Sequence, residues 1–101
     1  LTETEVRFLE YMKACYERLE ECRQSLEKLP PGAIIQRQVR GKIYYRHSIY
    51  EETGRKHISC TASEAKLLSA QIDKRKRLEK EHQFLSKLFN KNNTLLQDLL
   101  T

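Results

Sequence analysis

An α+β fold is predicted for this 101-residue chain: two long antiparallel helices joined through a small three-stranded antiparallel sheet, with a short C-terminal helix. Three observations predict it. The chain opens on apolar residues spaced by alternating steps of four and three; the period changes to two between Ala33 and Cys60; and a second helical pattern, free of Gly and Pro, begins at Thr61. One domain, residues 1–101, is expected at this length, with a core of limited size.

The first helix, residues 1–29, starts at Thr2 and Glu5, whose T-x-x-E spacing is that of a capping box. Phe8, Met12, Cys15, Leu19, Cys22, Leu26 and Leu29 then form a heptad seam, broadened by Leu9 and Tyr16. The seam suits pairing with the last helix of the same chain, or with a copy of itself as a homodimer. Pro30 and Pro31 end the helix, because Pro donates no amide hydrogen and disfavours helical backbone in the residue before it.

Between residues 33 and 60 the turn signals Gly41 and Glu51–Gly54 divide three strands: Ala33 to Arg40, Lys42 to Tyr50 and Arg55 to Cys60. Alternation predicts a buried face of Ile43, Tyr45 and Ile49 with Ile35, Val39, Ile58 and Cys60, and places Arg37 and His47 on that same side. The other face is predicted to carry Lys42, Tyr44, Arg46, Ser48 and Tyr50, Gln36, Gln38 and Arg40, and Arg55, His57 and Ser59.

A second capping box, Thr61 with Glu64, opens a helix over residues 61–89 with an apolar stripe at Leu68, Ile72, Leu78, Leu85, Leu88 and Phe89. Between Asp73 and Gln83 only Leu78 is apolar, which predicts a solvated middle. The poor helix formers of Asn90–Thr94 predict a turn before a short amphipathic helix, residues 94–101, whose Leu95, Leu96, Leu99 and Leu100 can close onto Phe8, Leu9 and Met12.

The net charge of +5 is unevenly placed: residues 1–29 carry −2, residues 30–61 carry +4 and residues 62–89 carry +3. Low hydropathy, 33% charged residues and the absence of a signal-peptide pattern predict a cytoplasmic protein with no membrane contact. Cys15, Cys22 and Cys60 form no C-x-x-C pair and the three His are scattered, so neither a metal site nor any other cofactor is expected. No nucleophile stands beside a recognisable base and no Gly-rich phosphate loop occurs, so the chain does not read as an enzyme.

The basic, aromatic sheet face is the strongest functional lead. Clustered Lys and Arg attract nucleic-acid phosphates, Tyr rings stack on bases, and Gln or Arg side chains read them. The candidate contacts are Gln36, Gln38, Arg40, Lys42, Tyr44, Arg46, Tyr50, Arg55 and His57, as a DNA- or RNA-binding surface. An ordinary solvated strand face is the competing reading, since Tyr, Arg and Lys are common on exposed strands. "DKRKRLEK", Asp73–Lys80, is a second basic run, readable as helix-surface charge or as a flank to the sheet's target.

The stretch "LPPGAIIQRQVRGKIYY", followed by a Gly-turn strand and "TASEAKLLSAQI", resembles a group of small uncharacterised bacterial and phage proteins with an L-P-x-G and R-G-K-x-Y-Y pattern. The likeness covers roughly residues 29–72 and implies a setting in phages or mobile elements. Gly54-Arg55-Lys56 and Thr61-Ala62-Ser63-Glu64-Ala65 also resemble the sheet–helix unit of arm-type DNA-binding domains of phage tyrosine integrases. That resemblance implies a sheet seated in the major groove with Gln38, Arg40, Lys42, Tyr44 and Arg46 as contacts; the long N-terminal helix has no counterpart there. Two alternatives stand beside nucleic-acid binding: an inhibitor that binds a host protein such as a nuclease complex, and a coiled-coil dimerisation module.

Overall fold

A computed structural model describes residues 1–101, with the element order α1 (Glu3–Lys28), β1 (Ala33–Val39), β2 (Lys42–Glu51), β3 (Gly54–Cys60) and α2 (Ala62–Leu100). The chain divides into two compact units. One comprises Leu1–Lys28 with Leu78–Thr101, the other Leu29–Arg77. No helix is long and apolar enough to cross a membrane.

Both helix starts follow the capping boxes. The Thr2 hydroxyl accepts the Glu5 amide at 3.2 Å while the Glu5 carboxylate accepts the Thr2 amide at 2.9 Å, and Thr61 and Glu64 repeat the exchange at 3.1 and 3.3 Å. Those bonds hold the Glu5 carboxyl below the usual carboxylate range, since the charged form accepts the amide better.

The expected short C-terminal helix is not separate: α2 runs unbroken from Ala62 to Leu100. Asn costs only about 0.7 kcal/mol relative to Ala in a helix, and Asn92 folds its side-chain amide back onto the Leu88 carbonyl at 2.9 Å. Partial burial of Leu96 and Leu99 against α1 outweighs that cost, because a break would turn them away from Leu9, Met12 and Phe8.

In the helical unit, α1 and the C-terminal part of α2 lie antiparallel, as successive contacts show: Arg18 with Glu81, Cys15 with Leu85, Tyr16 with Phe89, Phe8 with Leu95 and Leu99. Met12, Cys15 and Cys22 are its buried residues, so the heptad seam of α1 is taken up inside the chain. The Arg18 guanidinium grips both oxygens of Glu81 at 2.7 and 2.8 Å, and the Cys22 thiol donates to the same carboxylate at 3.7 Å. Arg18 holds the Glu81 carboxyl below its ordinary value, while burial, followed by the neighbouring carboxylate charge, pushes the Cys22 thiol up. Tyr16 and Phe89 form a tilted ring pair with centroids 6.2 Å apart.

The sheet unit is ordered β1-β2-β3, antiparallel throughout. Arg40 and Gly41 both sit at positive φ, 52° and 79°, which makes the β1–β2 connection a two-residue turn of the mirror type that suits sheet twist. One face, with Ile34, Tyr45 and Cys60, packs on the start of α2 beside Ala65. His47 on this face is buried and its Nε2 meets the Pro31 carbonyl at 2.7 Å, so the ring nitrogen donates there. Gly32 crosses so closely that a Cβ would fall 2.1 Å from the Ser48 carbonyl oxygen, and its φ is +102°. Arg75 of α2 donates to the Leu29 carbonyl at 2.7 Å, tying down the backbone before the two prolines.

Two outcomes follow for stability. Gly32→Ala meets both a steric and a backbone penalty and is expected to destabilise the chain by on the order of 3 kcal/mol, read from the urea midpoint. Because the folded-state pKa of Glu81 is depressed, its contribution is complete above the ordinary carboxylate value and disappears as pH falls through the folded value. The effect is modest for a partly exposed pair. Urea midpoints measured from about pH 6 down to about pH 2 are expected to fall less steeply in Glu81→Gln than in the parent chain.

Candidate nucleic-acid interface

The two-residue turn sets which side chains share a face. Val39 pairs with Lys42, Arg37 with Tyr44 and Ile35 with Arg46, so odd positions of β1 join even positions of β2. On the other flank Tyr50 pairs with Arg55, Ser48 with His57 and Arg46 with Ser59. One face therefore carries Arg37, Lys42, Tyr44, Arg46, Tyr50, Arg55 and His57 together. Arg40 stands at the turn between them.

Six expected contacts, Lys42, Tyr44, Arg46, Tyr50, Arg55 and His57, are thus brought together. Gln36 and Gln38 are not. They pair with Tyr45 and Ile43 and lie on the opposite face, because the turn has two residues where the expected face assignment requires three. The same shift moves Ile35 and Val39 off the face of Ile43 and replaces the two Gln with Arg37, which alternation had assigned to the apolar side.

Exposure divides this face. Tyr44 is 52% and Tyr50 77% exposed, and Arg37, Arg40, Lys42, Arg55 and His57 are exposed as well. Arg46 and Ile35 are half-buried and Ser48 is buried, so the centre is firm and the ends stand in solvent. The Arg55 guanidinium lies 4.7 Å from the Tyr50 ring centroid and donates to its hydroxyl at 3.1 Å. That contact stiffens a flat aromatic and cationic plate at the far end of the strand pair.

The charges here differ from those on α1. There Arg7, Lys13, Arg18 and Arg23 each meet a carboxylate four residues or fewer away, and Arg18 reaches Glu81 besides. On the sheet face none of Arg37, Arg40, Lys42 and Arg46 is in an ion pair. The one sheet pair, Lys56 with Glu51 at 3.9 Å, belongs to the opposite face. Of the second basic run, Arg75 is engaged by the Leu29 carbonyl, while Lys74, Lys76 and Arg77 are exposed.

No three His, Cys, Asp or Glu side chains converge as a metal site would require. No protein-family model, curated protein or solved structure matches the chain.

Arg40 at φ 52° is a non-glycine residue in a conformation that favours Asn or Gly. Arg40→Asn is expected to raise stability by about 1 kcal/mol, seen as a higher thermal midpoint, which would mark the arginine as retained for its charge.

Proposed function

We propose that this chain is a non-enzymatic, cytoplasmic nucleic-acid-binding module that docks through the β1–β2–β3 face. The observation that supports it best is the co-location of five cations, Arg37, Arg40, Lys42, Arg46 and Arg55, with the exposed rings of Tyr44 and Tyr50 on a surface free of carboxylates. Phosphates would be held by Lys42, Arg37 and Arg40; Tyr44 and the Tyr50–Arg55 plate would stack; Arg46 and His57, nearer the firm centre, would reach bases. Three strands at about 4.8 Å spacing make a ribbon about 10 Å across, which a major groove about 12 Å wide admits.

Equilibrium binding across a salt series, with duplex DNA, single-stranded DNA and RNA as probes, tests the reading. If each of the five cations meets a phosphate, the logarithm of affinity should fall with that of salt concentration at a slope of roughly −4 to −5 for duplex DNA. Lys42→Ala combined with Arg46→Ala should reduce that slope by about 2 while leaving helical circular dichroism unchanged. Salt-independent or absent binding to all three probes overturns the proposal. Retention of a host protein by nuclease-treated chain, with no nucleic-acid binding, would transfer the same face to an acidic protein partner.

A further inference from the structure

The helical unit leaves apolar surface uncovered that a lone two-helix pair does not need. Phe84 is 65% and Leu95 58% exposed, and together with Leu88 and Lys91 they follow one another at steps of four, three and four along α2. This stripe lies roughly a quarter-turn round the helix from Leu85, Phe89 and Leu96, which serve α1. Beside the stripe, Phe8, Leu95 and Leu99 line an apolar cleft of about 490 Å³ whose rim is acidic, with Glu5 and Asp98. Eleven residues earlier, Phe84 stands out as a knob with Lys80 one turn before it and Lys87 and Lys91 after it.

We infer that a second copy of this chain covers that surface, α2 against α2 antiparallel, with Phe84 of each copy seated in the Phe8–Leu95–Leu99 cleft of the other. Knob and cleft lie about 16 Å apart along one helix, so a two-fold axis midway between them satisfies both at once. The same register brings Lys80 of one copy beside Asp98 of the other, twice, and sets a basic knob in an acidic rim. The surface is complementary to itself.

Area argues for a partner present whenever the chain is folded. The accessible surface is 8070 Å², whereas a compact monomer of 12.0 kDa exposes roughly 6000 Å². The excess of roughly 2000 Å² exceeds the 1000 Å² or so per protomer that a stable homodimer covers. Only Met12, Cys15 and Cys22 are buried in the helical unit, a small core to hold two helices together in water. Another copy is the one species always at hand in equal amount. The inference does not depend on the sheet-face reading.

Sedimentation equilibrium of the full chain tests it. A dimer is expected at about 100 μM, a concentration at which an interface of this area is occupied. Phe84→Glu should sediment as a monomer with helical circular dichroism retained, because the ring is already exposed in a single copy. Lys80→Asp and Asp98→Lys, both at exposed positions that leave the fold alone, should each weaken the dimer by about tenfold, summed over two symmetric contacts. Combined in one chain, they should restore it. A monomeric parent chain, a dimer indifferent to Phe84→Glu, or charge reversals without mutual rescue would each overturn the inference.

Discussion

The turn at Arg40 and Gly41 is the constraint from which the rest of the sheet unit follows. Two residues at positive φ leave Val39 and Lys42 directly opposed, and every later pair in β1 and β2 inherits that register. Because side chains alternate with a period of two, the turn decides that Arg37 stands beside Tyr44 and that Ile34 faces α2. A turn one residue longer would place Gln36 and Gln38 among the cations and turn Arg37 toward the helix. The strand sequence alone does not distinguish these outcomes; the turn geometry does.

Charge is handled in two ways within one chain. On α1 and the C-terminal part of α2 the cations are matched locally, at helical spacings of three and four, and Arg18 with Glu81 carries that matching between the helices. On the sheet the cations are set side by side without carboxylates, which costs mutual repulsion that a solvated strand face has no reason to accept. Placing Arg46 half-buried at the centre and flexible Lys42 and Arg40 at the tip gives the surface a fixed middle and an adaptable end. The closeness of Gly32 to Ser48 and the bond from His47 to Pro31 hold that middle from the loop side.

Much of the fold was legible because its signals are local. Thr-x-x-Glu before an apolar run marks a helix start by supplying two hydrogen bonds, and both instances form them. The paired prolines end α1, and the change from helical to twofold period marks β1. What was not legible depends on partners distant in sequence. The helix through Asn90–Thr94 persists because Leu96 and Leu99 find α1, which residue preferences cannot report. Arg75 reads as one cation in a basic run, and only its distance to the Leu29 carbonyl shows that it secures backbone. At the candidate site six residues were legible from alternation, while Arg37 was hidden by the length of the turn. A two-residue loop with Gly second was the available signal for it.

A three-stranded sheet that does not close on itself keeps two bare margins, here the outer sides of β1 and β3, each with unpaired amides and carbonyls that invite a foreign strand. The chain protects them with Arg37 on one and Arg55 and Lys56 on the other, whose like charges repel an approaching copy. A polyanion that neutralises this basic rim also removes the repulsion. Saturating ligand would then lower the barrier to strand-by-strand growth into filaments, so solubility and occupancy of the sheet are physically linked.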